Sequence, residues 1–170
     1  MELTLFWITR ERLSEAKLTP YEISNYSKDG SECHHNVLYW SNGNYVGLGP
    51  GAVSHVSGSR AGNPRAIAPY RRWIATSGHA TLWRETLAAR ARLGETWWLG
   101  LRLSAGVQPA QALETAGLAG NPDPTDALVT RLVESGHLER QGERVCLTQH
   151  GIPVADAVAA EFLVAPSELD

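Results

Sequence analysis

The chain has 170 residues and a mass of 18.5 kDa, which suits one medium domain or two small ones. Apolar residues make up 43% and charged residues 19% of it, a composition that excludes a disordered protein. Its two cysteines, Cys33 and Cys146, exclude a disulfide framework and a multi-cysteine zinc or iron–sulfur site. No apolar run reaches the roughly 18 residues of a membrane helix, and residues 1–8 lack the features of a secretory signal. We therefore expect a cytoplasmic protein with no membrane span.

The net charge of −3 conceals two opposed regions. Residues 60–92 carry seven arginines and one acid, Glu85, whereas residues 121–170 carry nine acids and three arginines. A basic middle favours an anionic ligand or partner, and an acidic tail repels nucleic acid. The alternative is an arginine-rich surface that is only solvated.

The first half of the chain predicts a helix, a strand and glycine-rich turns. Thr9 is expected to cap a helix over residues 10–17, and residues 21–23 are expected to form a strand. Residues 45–53 predict a strand, a glycine-rich bend and a second extended run. Residues 57–59 predict a hairpin turn.

The middle of the chain predicts two helices, over residues 67–76 and 88–103. In the second of these, Leu93, Trp97 and Leu101 repeat at helical spacing and are expected to line one buried face.

From residue 121 onward the pattern predicts a helix that Gly136 ends, a hairpin that turns at residues 141–142, and a final helix that Thr148 opens. This order of elements is typical of a small winged-helix unit. Such a unit suggests a nucleic-acid-binding or protein-interaction module. Packing is the favoured interpretation, because the helices carry four acids against one arginine; these are Asp126, Glu134, Asp156 and Glu161 against Arg131.

The densest group of metal-ligating side chains follows Glu32. Cys33, His34 and His35 supply a thiol and two imidazoles, which are soft ligands that suit iron, zinc or haem. His35, with Tyr39 and Trp40 after it, matches an axial haem ligand beside an aromatic wall. The alternative is a half-buried loop histidine that hydrogen-bonds to the backbone.

A second candidate is the glycine-rich loop from Gly47 to Gly51. Glycine lets backbone N–H groups approach a ligand closely, but the spacing is not that of a dinucleotide-binding loop. A bend between two strands is the alternative. Ser54 and His55 are neighbours on a strand and therefore do not pair as nucleophile and base. The sequence predicts no catalytic residue.

Five motifs follow one another along the chain, and together they indicate a family. In this order they resemble the C-terminal portion of radical-SAM enzymes of the oxygen-independent coproporphyrinogen III oxidase type, with the haem-chaperone branch favoured. The resemblance covers nearly the whole chain from Thr9 onward. The motifs are Tyr21-Glu22-Ile23-Ser24-Asn25-Tyr26, Glu32-Cys33-His34-His35-Asn36-x-x-Tyr39-Trp40, Tyr45-x-Gly47-Leu48-Gly49-Pro50-Gly51-Ala52, Leu99-Gly100-Leu101-Arg102-Leu103 and Leu147-Thr148-x-x-Gly151.

The resemblance implies an α+β fold in three segments. Residues 1–60 would be the remnant edge of a radical-SAM partial (β/α) barrel that carries the histidine and glycine motifs. Residues 61–120 would be a helical segment, and residues 121–170 a winged-helix-like C-terminal unit.

The resemblance also implies cofactors. Full-length members bind S-adenosylmethionine and a four-iron cluster on a C-x-x-x-C-x-x-C motif, which this sequence lacks. Neither group is therefore expected on this chain alone, and the chain is expected to be inactive by itself. Gly49, Gly51 and Val53 match the residues beside S-adenosylmethionine, and His35 matches the histidine that the family associates with haem. Val53 stands where the chaperone branch has a histidine.

The expected function is that of a truncated haem-chaperone or coproporphyrinogen-oxidase-like protein of porphyrin metabolism. Haem or porphyrin would be its ligand, with His35 on the iron and Tyr39 and Trp40 against the porphyrin. Cys33, His34 and His55 are competing ligands. Arginines of the basic region would hold the propionates; these are Arg60, Arg65, Arg71 and Arg72.

A separately encoded radical-SAM barrel is the expected protein partner. It would dock on residues 21–24, which are expected to form an unpaired strand. The rival function is a winged-helix module that binds nucleic acid or another protein.

Overall fold

The computed structural model describes residues 2–164 as a mixed α/β protein. Its contacts divide it into two compact units. The first takes the residues up to Asn42 and from Ala89 onward, and the second takes Gly43–Ala88. These cuts differ from residues 60 and 120, because close contacts follow tertiary pairing rather than the order of motifs. The three-segment division stays a prediction.

The elements of the first half, in chain order, are short apart from two helices. They are α1 (Glu2–Glu15), β1 (Thr19–Pro20), β2 (Tyr26–Ser27), α2 (His34–Trp40), β3 (Val53–Val56), β4 (Ser59–Gly62), α3 (Ile67–Ser77) and β5 (Trp83–Thr86).

The elements of the second half are helices around one hairpin. They are α4 (Ala89–Gly100), α5 (Pro109–Ala116), α6 (Asp126–Glu134), β6 (Leu138–Gln141), β7 (Arg144–Leu147), a 3₁₀ turn (Ile152–Val154) and α7 (Ala155–Val164).

The core of the first unit forms where α4 packs against α7. Leu93, Trp97 and Leu101 are at most 1% exposed, which confirms the predicted buried face. The rings of Trp97 and Phe162 stack with centroids 4.6 Å apart and planes 10° from parallel. Gly94 permits this approach, because a Cβ there would collide with the carbonyl oxygen of Phe162.

The helix and the hairpin predicted after residue 121 are confirmed. The final helix does not begin at Thr148: the Thr148 hydroxyl accepts from the Gly151 N–H at 3.0 Å, and α7 begins at Ala155, after the 3₁₀ turn. Helix α6 buries Leu128, Val129 and Leu132, and Gly136 follows its end with a φ of +76°. Strands β6 and β7 pair antiparallel, and Val107 adds an isolated bridge to β7. The result is a small helical layer closed by a hairpin.

The second unit is built on an antiparallel sheet in the order β3-β4-β5. The predicted hairpin turn is confirmed, with positive φ angles of 51° at Ser57 and 75° at Gly58. That pair of angles matches the right-handed twist of the strands it joins. Helix α3 confirms the predicted helix over residues 67–76 and ends at Gly78, whose φ is +72°.

Two predictions for the start of the chain are wrong. Helix α1 begins at Glu2 rather than near residue 10, and the Thr9 hydroxyl donates to the Leu5 carbonyl oxygen, 2.8 Å away, inside that helix. The apolar run before Thr9 has no period that separates a helix from a strand. Residues 21–23 form no regular strand, and their one bridge joins Glu22 to Leu103.

Candidate histidine site on helix α2

Helix α2 presents two different faces. Residues four apart lie above one another on a helix, so His35 shares a face with Tyr39, and Asn36 shares another with Trp40. His35 is exposed. Its ring meets the Tyr39 ring edge to face, with centroids 4.7 Å apart and planes at 82°. The outer face therefore offers an accessible imidazole braced by an aromatic ring.

The inner face of α2 is anchored to the rest of the first unit. The Asn36 side-chain amide donates to the Tyr21 hydroxyl at 3.2 Å. The Arg102 guanidinium carbon lies over the Trp40 ring, 4.6 Å from its centroid. The Trp40 indole nitrogen is buried and has no hydrogen-bond partner among the described residues. Trp40 is thus turned toward the interior, away from the His35 face.

Glu22 is a buried carboxylate behind this helix, with 1% of its surface exposed. Its Oε1 accepts from the Ser24 N–H at 2.8 Å and from the Asn25 side chain at 2.6 Å. Its Oε2 lies 3.7 Å from Nε of Arg102, an ion pair without a hydrogen bond within the described chain. Burying a carboxylate is costly unless it is paired, so the position of Glu22 requires Arg102.

Backbone hydrogen bonds join the first of the five motifs, residues 21–26, to the segment that follows α4. The Ile23 N–H donates to the Arg102 carbonyl oxygen at 3.1 Å, and the Ser104 N–H donates to the Tyr21 carbonyl oxygen at 3.0 Å. The prediction of an unpaired strand at residues 21–24 is therefore wrong. Three motifs that are distant in the sequence meet at Arg102.

We call Glu22, Trp40, Arg102 and Asp156 the Arg102 cluster. Asp156, in the first turn of α7, accepts from the Arg102 guanidinium at 2.9 Å. Glu22 and Arg102 both lie inside the recognised motifs, but nothing in the local pattern predicts that they meet. The one available signal was an acid between two large side chains, Tyr21 and Ile23.

The C-terminal end of α2 is held by Asn42. Asn42 has a φ of +53° and is 9% exposed. Its side-chain amide donates to the Thr96 hydroxyl on α4 at 3.1 Å. Together with Asn36 and Trp40, this residue fixes the helix from behind.

The competing ligands have different environments. Cys33 and His34 are exposed next to His35. His55, in the second unit, is 4% exposed, and its Nδ1 lies 2.9 Å from the Gly43 carbonyl oxygen. His55 is therefore a buried strand histidine next to a backbone carbonyl, whereas His35 is exposed on α2. Across residues 2–164, no three histidine, cysteine or acidic side chains come together as a metal site.

Cys146 faces the interior from β7. Burial raises the pKa of its thiol, and the nearby Glu139 carboxylate adds to this, while Arg144 opposes it. The side chain is therefore held as a neutral thiol, which is a poor metal ligand.

The backbone conformation of the glycine loop by itself explains why glycine occupies these positions. A Cβ at Gly47 would collide with the Val53 carbonyl, and Gly49 and Gly51 have φ angles of +102° and +71°. The Asn63 side chain donates to the Gly49 carbonyl oxygen at 2.9 Å. The predicted contacts of Gly49, Gly51 and Val53 with S-adenosylmethionine stay predictions.

The arginines of the basic region are not equivalent. Arg60 pairs with Glu85 across β4 and β5, with nitrogen and oxygen 3.2 Å apart. Arg65, Arg71 and Arg72 are exposed, the last two beside a shallow groove of about 600 Å³ along α3. Their expected role toward propionates stays a prediction.

No protein-family model matches the chain. It is 30% identical over 162 residues to the heme chaperone HemW of Bacillus subtilis, covering 95% of this chain and 42% of that protein. It is 41% identical over 104 residues to the heme chaperone HemW of Synechocystis, covering 60% of this chain and 25% of that protein. The chain thus spans less than half the length of these relatives.

Among solved structures, the fold matches that of the coproporphyrinogen III oxidase HemN of Escherichia coli, which is a radical SAM enzyme. The TM-score is 0.68 at 12% identity, over 94% of this chain and 40% of that one. The fold therefore defines a protein with the architecture of one portion of a coproporphyrinogen oxidase. The chain belongs to the HemN/HemW-type family and corresponds to its C-terminal portion.

Proposed function

We propose that this chain is the haem-handling C-terminal portion of a haem-chaperone-like protein of porphyrin metabolism, and that His35 ligates the iron of haem, its cargo. The observation that carries the proposal is an exposed imidazole, braced edge-on by Tyr39, on a helix that is fixed from behind. The HemW relatives, which are named heme chaperones, support the choice of ligand.

The residues around His35 fit a porphyrin. A neutral imidazole is a common axial ligand of haem iron. Tyr39 and the half-exposed Leu38 on the same side of α2 offer apolar surface to the macrocycle. Trp40 supports the site from the inner side of the helix. When bound, haem would place its iron on an imidazole nitrogen, and this chain would supply the orientation of that nitrogen.

The residues do not fit a four-iron cluster. Such a cluster needs three cysteines, and the chain has two, of which Cys146 is buried. Radical chemistry is therefore assigned to a radical-SAM portion such as the longer relatives would carry, either in the same chain or as a separate partner.

Helix α1 is the proposed surface for that radical-SAM portion, in place of residues 21–24. Leu3, Leu5 and Ile8 on this helix are between 46% and 57% exposed. Leu5 and Ile8, three positions apart, share one side of the helix, whereas Leu3 lies nearly opposite Leu5. Exposed aliphatic side chains that lie together, as Leu5 and Ile8 do, mark an interaction surface.

The elements from α5 to α7 are proposed to form a winged-helix-like unit that contacts protein rather than nucleic acid. The cations near α6 are already neutralised, because Arg131 pairs with Glu161 and Arg140 pairs with Asp126. Nucleic-acid binding depends on lysine and arginine side chains that are available to neutralise phosphates. This arrangement favours the packing interpretation over the DNA-binding one.

A haemin titration followed by absorbance tests the proposal. We expect His35→Ala to weaken binding about tenfold or more and to change the Soret band, because it removes the iron ligand. His34→Ala and Cys33→Ser are matched controls, since both residues are exposed neighbours of His35. Unchanged affinity and an unchanged band in His35→Ala would overturn the assignment.

A further inference from the structure

Helix α2 cannot hold its position by itself. It has seven residues, and its N-cap residue Cys33 makes no side-chain capping bond. None of its residues is buried. Isolated helices shorter than about 12 residues are marginal in water. The direction in which His35 faces therefore depends on the contacts made by the inner face.

Three side chains supply this support: Asn36 and Asn42 through hydrogen bonds, and Trp40 through a cation–π contact. Asn36 donates one neutral hydrogen bond to the Tyr21 hydroxyl. Asn42 donates to the Thr96 hydroxyl and, at 3.4 Å, to the Glu95 carboxylate. Trp40 instead offers its large ring surface to the charged Arg102 guanidinium. A cation over an indole ring is attracted to the electrons of its face, most strongly where water is excluded.

Arg102 is itself held in place by two acids from different parts of the chain. Glu22 is almost fully buried, and Asp156 has an 85% exposed side chain. Because exposed ion pairs contribute little, Glu22 is the stronger restraint and Asp156 the weaker one. The Arg102 side chain is 22% exposed, so its head group is partly shielded from water between Trp40 and Glu22.

We propose that Arg102 is the positioning residue of the haem site: by covering the inner ring face of Trp40, it holds α2 so that His35 faces outward. This inference rests on the proposed function for its consequence in haem binding, but the positioning itself exists in the haem-free protein. It depends on the flat guanidinium as well as on the charge, since a lysine ammonium is a point charge that covers less of a ring.

The haem-free protein gives the first test. Amide hydrogen exchange is measured for α2 in the wild type, Arg102→Lys, Arg102→Gln and the control Arg140→Gln, which also breaks an arginine–aspartate pair. We expect exchange in α2 to become about fivefold faster in both Arg102 variants, because local opening loses one anchor. Arg140→Gln leaves α2 unchanged.

The Arg102→Lys variant distinguishes two roles of Arg102: positioning α2 and balancing the charge of Glu22. Arg102→Lys restores the counter-charge of Glu22, so urea unfolding should return close to the wild-type midpoint, while Arg102→Gln unfolds earlier. Fast α2 exchange persists in Arg102→Lys. Wild-type exchange in Arg102→Lys would overturn the proposal and leave Arg102 as a counter-charge only.

Haemin binding supplies the second measurement. Arg102→Lys is expected to bind haemin about fivefold more weakly while keeping the Soret band of the wild type, because His35 still ligates the iron. Wild-type affinity in Arg102→Lys would contradict the consequence for haem. If His35→Ala binds haemin as the wild type does, the proposed function fails, whereas the exchange data still decide the role of Arg102.

Discussion

At the scale of single residues, exposure and partners separate side chains that the sequence presents as equivalent. By residue type His34, His35 and His55 are all possible ligands, and only the resemblance to the family favours His35. The structure encloses His55 against the Gly43 carbonyl oxygen and leaves His35 exposed beside Tyr39. Arg102 could not be singled out, because the acid that binds it at 2.9 Å lies 54 positions away in the sequence. Residue types were predictable, but their tertiary partners were not.

The two cysteines should differ in reactivity. With a thiol reagent at pH 8, we expect the native protein to react at the exposed Cys33 and to protect Cys146, whose pKa is raised by burial. Mass spectrometry of the labelled peptides checks this. Equal labelling of both cysteines in the folded protein would contradict the burial of β7.

The raised pKa of Cys146 also sets the sign of a pH effect. The unfolded thiol loses its proton near its ordinary value of 9.0, while the folded one keeps its proton to higher pH. The free energy of unfolding should therefore fall as the pH rises above about 9. Urea unfolding at pH 8 and pH 10 should show a smaller fall in Cys146→Ala than in the wild type, and equal falls would contradict this assignment.

At the scale of elements, the sequence predicted correctly those helices and turns that depend on neighbouring residues in the chain. The stripe of Leu93, Trp97 and Leu101 placed α4 with the correct buried face. Turn residues such as Gly58 placed the hairpins. Residues 21–24 were wrongly predicted as an unpaired strand, because two of their backbone hydrogen bonds go to Arg102 and Ser104, far along the chain. Helix α1 was misplaced because its apolar side chains occur on more than one face.

Gly94 tests the packing of α4 on α7. Alanine has the higher helix propensity by about 1 kcal/mol, yet a Cβ here would meet the Phe162 backbone. We expect Gly94→Ala to destabilise the protein by about 2 kcal/mol, because α7 must shift away. Urea unfolding measures this, with Ala91→Gly on the exposed side of α4 as the control for propensity. A Gly94→Ala variant as stable as the wild type would show that the helices are not in close contact.

At the scale of the whole molecule, the chain carries one part of a longer family architecture. It spans 42% of the Bacillus subtilis HemW and 40% of the Escherichia coli HemN chain, with the HemN fold preserved at 12% identity. In the described part of the chain no helix is long and apolar enough to cross a membrane. The family could be identified from its motifs, whereas the way in which Arg102 joins three of them required the structure.

The charge of the whole molecule predicts how it behaves toward DNA. The cations near α6 are paired with acids, and the net charge of the chain is −3. We expect no retarded band with a labelled duplex at low salt and micromolar protein. Salt-sensitive binding tighter than about 1 µM would contradict the assignment of the C-terminal elements to protein contacts.

Ligation of haem iron by His35 is most directly tested by chemical rescue. His35→Gly removes the imidazole, and free imidazole added to its haemin complex should occupy the open coordination position. The account predicts that the Soret band is altered in His35→Gly and returns to the wild-type position as imidazole is added, while His34→Gly behaves as the wild type throughout. A wild-type spectrum of His35→Gly before any imidazole is added would contradict it.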